Sequence, residues 1–365
     1  MADMRKIAIN TGGGDAPGLN AVIRAATLSA LRLGWEVYGI RESYAGLLDM
    51  PSEEGIIPLT RERIRGITHL GGTILGTTNK GNPFEYPVER NGETVLEDRS
   101  DEVVAGFRKH GFDAMVAIGG DGSLRIAHQL SEKGIPVVGV PKTIDNDLAS
   151  TVITFGFDTA VATATDAIDK LHSTAESHRR VMVVEVMGRY AGWIALNAGV
   201  SGTADVILIP EIPYDIEKVC DKIRAREAAG RHFAIVVVAE GAKPVGGDIS
   251  TAESTEIGRE VKLEGAAEIV AAEISKRTEK DTRSLVLGHL QRGGSPTTFD
   301  RLIALRFGAA AIRAFEAGKT GVMVALDPPT VKEVPLEEAV SKMKGVSLDC
   351  DTILTARSLG ICLGD

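Results

Sequence analysis

With 365 residues, 44% apolar and 25% charged, the chain is long enough for roughly two domains of about 150 residues and a large buried core, which excludes a peptide or a disordered tail. Its 50 acidic and 41 basic side chains give a net charge of −9, so nucleic acid and anionic membrane surfaces are repelled on average, and an anionic ligand must be met by local arginines. No apolar run approaches the roughly 18 residues of a spanning helix, and residues 1–6 lead into an apolar strand without a signal-peptide core, so a cytoplasmic protein is expected. Cys220, Cys350 and Cys362 are odd in number and lack CxxC spacing, which suggests reduced thiols rather than a disulfide framework or a zinc site.

Short apolar or β-branched runs at 6–10, Glu36–Ile40, 114–118, 136–140, Val181–Val186, 206–209 and 233–239 alternate with helical patterns. This rhythm predicts βαβ units and a mostly parallel sheet covered by helices. Residues 19–33 have helical spacing, with Gly34 as the stop, and form the crossover helix after the first strand. The polar stretch 79–100 reads as a surface excursion, and a second βα series begins near 149–157 without a Gly- or Pro-rich linker. Two closely packed domains are therefore expected.

Ligands of open parallel sheets bind beyond the carboxyl ends of the strands, and three turns there are unusual. The first reads Thr11-Gly12-Gly13-Gly14-Asp15-Ala16-Pro17-Gly18, directly before a helix, where glycines let N–H groups approach an anion. A tight turn without a ligand has the same sequence, and the GxGxxG fingerprint fails at Pro17. The second, Gly119-Gly120-Asp121-Gly122-Ser123, holds an acid among glycines. Asp121 can be one of the one or two carboxylates that magnesium takes besides phosphate oxygens, or a turn-capping Asp. The third, Pro141-Lys142-Thr143-Ile144-Asp145-Asn146-Asp147, sets two acids beside a hydroxyl and an ammonium, which suits proton abstraction next to a phosphate. Asx-turn chemistry explains Asp145 and Asp147 taken alone, but not three such turns on one sheet. Together they point to phosphoryl transfer.

The Gly-Gly-Asp-Gly and Pro-Lys-Thr-Ile-Asp-Asn-Asp segments, with Met187-Gly188-Arg189 and Gly288-His289-Leu290-Gln291-Arg292-Gly293-Gly294 in the same order, resemble the phosphofructokinase family from Lys6 to about Arg313. The resemblance implies an α/β protein of two doubly wound parallel-sheet domains with the active site in the cleft. A phosphoryl-donor domain would span 1–155 plus about 291–345, a fructose 6-phosphate domain 156–290, and residues 346–365 an extension of unknown role. It further implies that Asp145 is the general base toward the C1 hydroxyl of fructose 6-phosphate and that Thr143 contacts the transferred phosphoryl group. Asp121 would hold Mg2+, and Gly13, Gly14, Gly120, Gly122, Ser123 and Lys142 would line the donor. Asp147 would shape the catalytic loop. The sugar phosphate would meet Arg180, Met187, Gly188, Arg189, Glu240, Arg283, His289 and Arg292, with Arg180 and Arg283 supplied by a neighbouring subunit. A homo-oligomer, with a tetramer favoured, is implied.

Donor choice has mixed signals. By the resemblance, Gly122 leaves room for a nucleotide α-phosphate where pyrophosphate users place Asp, whereas Lys142 is the residue of pyrophosphate users. ATP is the expected donor and pyrophosphate the alternative, because removing a repulsive carboxylate matters more than a lysine that can swing aside. Ile126, which is either helix packing or an obstacle to adenine, and Lys80, which stands where many members have arginine, are left out of the catalytic set. Arg24, Arg61 and Arg231 match the family's effector site while Leu28 and His172 replace two arginines, so weak effector control is expected. Rival readings are NAD or lipid kinases that share only the Gly-Gly-Asp-Gly turn, and a non-catalytic regulatory subunit, which would have a damaged Asp145 or Asp121.

Overall fold

The structure is a computed structural model that describes residues 6–90, 92–251, 263 and 265–365. Strand β1 (Lys6–Thr11) is buried on both faces after Lys6, as a central parallel strand must be. Gly18, at φ +111°, starts α1 (Leu19–Arg32); a Cβ there would lie 2.7 Å from the Phe155 ring, so glycine lets the helix begin hard against the sheet. The helix ends at Leu33, with Gly34 left-handed beyond it. Next come β2 (Glu36–Ile40), the single turns α2 (Ala45–Leu48) and α3 (Ser52–Gly55), β3 (Ile56–Pro58), the strands β4 (Tyr86–Arg90) and β5 (Glu93–Glu97), α4 (Ser100–Lys109) and β6 (Ala114–Gly119). Then follow α5 (Asp121–Glu132), β7 (Val137–Thr143), β8 (Phe155–Gly156), α6 (Phe157–His178), β9 (Val181–Val186), α7 (Trp193–Ser201), β10 (Val206–Leu208), α8 (Ile216–Ala228) and β11 (Ala234–Ala239). The chain continues through α9 (Ala266–Thr278), β12 (Thr282–Val286), a 3-10 helix (Gly288–Arg292), α10 (Thr298–Glu316), β13 (Val322–Asp327), β14 (Thr330–Pro335), α11 (Leu336–Ala339) and α12 (Asp351–Ser358).

One sheet has the order β14-β13-β7-β6-β1-β2-β3, with β8 added to β7; it is parallel except for β2–β3 and β13–β14. From β1 the chain winds outward to β2 and later returns to β6 on the other side, so the winding reverses between β1 and β6. A second, all-parallel sheet has the order β10-β11-β9-β12, with its reversal at β9. Alternation sends Ile7, Ile9 and Val116 to one face of the large sheet and Ala8, Met115 and Ala117 to the other; Val181 and Val183 oppose Val184 and Val186 in the small one. Both sheets are thus covered on both faces, which is the doubly wound α/β architecture expected.

Two local expectations are corrected. The stretch 79–100 is not irregular throughout, because β4 and β5 pair as an antiparallel hairpin. Pro141, Lys142 and Thr143, expected in a turn, still belong to β7: Pro141 lies opposite Gly119 and Lys142 opposite Phe155. Pro141 is tolerated there because β13 pairs with β7 only at Val138 and Gly139, so no long second neighbour needs its N–H.

The last residues run along the edge of the small sheet. Cys362 pairs with Val206, its N–H donates to Asp205 O at 3.0 Å and its carbonyl accepts from Ile207 N at 2.9 Å, which covers the open side of β10. All three cysteines are unpaired, and among the described residues no helix is long and apolar enough to cross a membrane.

Candidate active site

The reversal point of the large sheet brings the first two glycine turns together. Gly12 N–H donates to Ile118 O (3.0 Å) and Gly13 N–H to Thr78 O (3.3 Å), so the β1 loop is stitched to β6 and to the 77–80 segment. A Cβ on Gly12 would lie 2.8 Å, and one on Gly13 3.2 Å, from Ser123 Oγ. The loop and the α5 N-terminus are therefore in contact only because glycine stands at these positions. Neither α1 nor α5 has a side-chain cap, since Gly18 and Gly120 occupy the N-cap positions. Two helix N-termini without side-chain caps thus lie beyond the carboxyl ends of the neighbouring central strands β1 and β6, an arrangement whose partial charge favours anions. Gly120 backs onto the end of β7, with Lys142 O 3.3 Å from where its Cβ would be, while Gly122 is exposed with nothing within 4 Å. Ile126 packs against the core on the far face of the sheet.

Lys142, 3% exposed, places its ammonium on Gly14 O. Burial, reinforced by Arg292, pulls its pKa down to about 8, and Asp145, Asp15 and Asp147 oppose that pull. Asp145 is 5% exposed; its N–H donates to Thr143 Oγ1 at 3.0 Å, and Thr143 Oγ1 donates to its Oδ2 at 3.3 Å. Its Oδ1 is buried without a hydrogen-bond partner, as is Asp147 Oδ1. Burial raises the Asp145 pKa, against the lowering influence of Arg292, Arg189 and Lys142. Asp147 is pushed up to about 7 by burial and then by Asp145. Asp121 is half-exposed and ion-paired to Arg125 at 2.9 Å. Among the described residues no group of three or more His, Cys, Asp or Glu is placed to hold a metal ion.

The small sheet delivers its own loops to the same place. After β9, Gly188 (φ +135°) and Arg189 (φ +50°) turn sharply, and Arg189 N–H donates to Glu240 Oε1 at 3.0 Å. A Cβ on Gly241 would lie 1.9 Å from Arg189 O, so this turn needs glycine as its neighbour. Burial pushes Glu240 up to about 7, with Arg189 opposing and Asp145 adding to the rise. Beyond β12, Arg292 reaches back across, donating from Nη1 to Asp15 O at 3.1 Å. Asp145 is thus within electrostatic reach of Lys142, Arg189, Glu240 and Arg292, which come from both sheets.

Not every expected residue joins this cluster. His289 is exposed on the 3-10 helix. Arg180 precedes β9 and Arg283 lies in β12 opposite Met182, so both sit at the amino ends of the strands, while Arg189 follows the carboxyl end of β9. Six residues at about 3.3 Å each put Arg180 roughly 20 Å from Arg189 within one chain. Both arginines pair with Asp281. Arg231 instead lines a cavity of about 500 Å³ with Lys222, Arg226 and Gly360; His172 is held on Gly202 O at 2.8 Å.

Sequence reasoning missed Gln291 as a separate contributor. It is fully buried, accepts from Met187 N–H at 3.3 Å and donates to Gly288 O at 3.1 Å, tying the 3-10 helix to the Arg189 turn. Its signal was a lone amide between Leu290 and Arg292, which local pattern does not distinguish from a surface residue.

A phosphofructokinase family model matches residues 6–315. The chain is 52% identical over 362 residues to an ATP-dependent 6-phosphofructokinase of Chloroflexus aggregans, covering 99% of this chain and 98% of the relative. It is 46% identical over 344 residues to a pyrophosphate–fructose 6-phosphate 1-phosphotransferase of Streptomyces coelicolor, covering 93% and 96%. Among solved structures, Pichia pastoris phosphofructokinase in the T-state superposes with a TM-score of 0.79 at 29% identity, over 98% of this chain and 37% of that much longer one. Glycine turns at one reversal point, paired acids beside a buried lysine and arginines from a second sheet therefore sit in a matching sequence and a matching fold, and the chain belongs to the phosphofructokinase family.

Proposed function

We propose that the chain is a 6-phosphofructokinase that moves the terminal phosphoryl group of ATP onto the C1 hydroxyl of fructose 6-phosphate, with Asp145 as general base. The observation that carries this is the Asp145 carboxylate: buried, one oxygen unpartnered, and faced by Arg189, Arg292 and Lys142 where the loops of both sheets meet. Burial makes the carboxylate a stronger base, and the surrounding cations keep it ionised. The uncapped starts of α1 and α5, with Gly13, Gly14 and Ser123, would receive the donor phosphates. Thr143 stands next to the transferring group, and Arg189, Glu240 and Arg292 hold the sugar phosphate, Glu240 by accepting from its hydroxyls.

Mg2+ fits this site as a partner of the donor phosphates. It needs only one or two carboxylates besides phosphate oxygens and water, which Asp121 at the start of α5 supplies. The ion would neutralise phosphate charge.

Lys142 on the Gly14 carbonyl favours a second reading, with pyrophosphate as donor, because a fixed ammonium there suits a compact polyphosphate. The open space at Gly122 favours ATP, and we place that first. Initial rates with fructose 6-phosphate and magnesium, comparing ATP with pyrophosphate, decide between them. Absence of fructose 1,6-bisphosphate with both donors would overturn both readings, and a rate with pyrophosphate alone would reverse the donor assignment.

The active form is a homo-oligomer, a tetramer by family likeness, in which Arg180 and Arg283 serve a neighbour's sugar-phosphate site. Their distance from Arg189, and the exposed edge formed by Arg283, Leu285 and Val286 of β12, support this. Mixing an Asp145→Asn chain with an Arg283→Ala chain should restore activity that neither has alone; no gain on mixing would argue for a self-contained site.

A further inference from the structure

Residues 343–344, which follow α11, lie beside the acid loop in an arrangement that the motifs do not anticipate. Met343 bridges Leu148 in antiparallel fashion, and Lys344 N–H donates to Asp147 O at 2.7 Å. The Lys344 ammonium turns inward and reaches three acceptors, Asn146 Oδ1, Thr151 O and Val152 O, each at 3.0 Å. An ammonium has three N–H donors, so one acceptor is available for each. Asn146 is the residue between the two acids; it is 5% exposed, stands at φ +52°, and its Oδ1 also accepts from Thr154 N–H at 3.1 Å. Lys344 O in turn accepts from Trp193 Nε1 at 2.9 Å, at the first residue of α7, the helix that follows the Arg189 turn and packs on the small sheet.

We propose that Lys344 is a positioning residue for phosphoryl transfer, holding the left-handed Asn146 and with it the neighbouring carboxylates of Asp145 and Asp147 in register with the small sheet. The inference rests on the reading of Asp145 as the base. A left-handed non-glycine residue is uncommon and is kept only where its surroundings over-determine it. Here the Lys344 side chain adds to the Thr154 N–H a restraint that closes on the loop from outside the motif. The same residue grips the loop by its backbone and the small sheet through Trp193, so it couples the base to the element carrying Arg189. Its position past Arg313 explains why the motifs give no hint of it.

The test is steady-state kinetics of Lys344→Met and Lys344→Arg with fructose 6-phosphate and the preferred donor, alongside thermal melts. A loop shifted by about an ångström should lower kcat of Lys344→Met roughly 10- to 100-fold, with both KM values within about twofold and the protein folded at assay temperature. Lys344→Arg, which keeps the charge and some of the donors, should recover part of kcat. A Lys344→Met kcat within twofold of the parent overturns the inference. So does a loss that follows the melting temperature and the KM values together and that arginine does not repair, because that is ordinary destabilisation. If Lys344→Met fails to fold, Lys344→Gln is judged by the same criteria. A parent chain inactive with either donor overturns the underlying reading, whereas an active parent matched by its variants overturns this inference alone.

Discussion

Gln291 and Met187 are joined across the small sheet's loops, with the Oε1 of the fully buried Gln291 accepting the Met187 N–H at 3.3 Å. The Gln291 Nε2 donates to Gly288 O, so one amide holds the Arg189 turn to the 3-10 helix that carries Arg292. Gln291→Leu keeps the volume but strands a buried N–H and a carbonyl, at about 1–3 kcal/mol for the lost satisfaction. KM for fructose 6-phosphate should rise more than KM for the donor, and urea melts should show the stability loss. Equal effects on the two KM values would mean that the amide serves only the core.

Replacing the proposed base should separate chemistry from binding. Asp145→Asn should lower kcat by at least about 10²-fold while sugar-phosphate affinity, measured by calorimetry, changes little. Because burial raises the Asp145 pKa, the parent's rate should decline on the acid side at a higher pH than an ordinary carboxylate would give. Near-normal turnover in the variant would remove Asp145 from the role.

Glu240 links function to stability. Its folded pKa of about 7 lies above the ordinary glutamate value of 4.5, so the folded chain binds more protons than the unfolded chain between these values. Stability is therefore highest below the lower value and falls as pH rises through the upper one, by about 3 kcal/mol in all. Glu240→Gln keeps an acceptor for Arg189 N–H and removes the charge. It should melt higher than the parent at pH 8 and about equally at pH 5, yet bind fructose 6-phosphate poorly. Parallel melting curves of pH dependence in the two proteins would contradict the assignment.

Two glycines predict opposite outcomes. Gly122→Asp meets open space, so it should fold normally and lower the rate with ATP relative to that with pyrophosphate, through repulsion of the nucleotide's phosphate. Gly241→Ala meets Arg189 O at 1.9 Å, a backbone atom that cannot swing away, so it should be poorly folded or shift Arg189 and raise KM for the sugar phosphate sharply. Circular dichroism melts with initial rates distinguish the two, and an unaffected Gly241→Ala protein would show that the turn is more yielding than its packing implies.

What the sequence by itself determined is what short-range chemistry encodes. The apolar runs of β1, β6, β9 and β11, the glycines at their ends and the acids of the third loop are legible because strand burial and left-handed or closely approached backbone demand particular residue types locally. Tertiary structure alone decided the rest, since the causes lie far along the chain. Lys142 and Thr143 are strand rather than turn because Phe155 and Gly156 arrive to pair with them. Arg283 stands at the opposite end of the sheet from Arg189 because β12 runs parallel to β9, a pairing no spacing reveals. Gln291 and Lys344 matter through hydrogen bonds to backbone 104 and 193 residues away. A polar side chain has no periodicity to announce such a partner, so only the folded chain, where a buried donor must find its acceptor, identifies it.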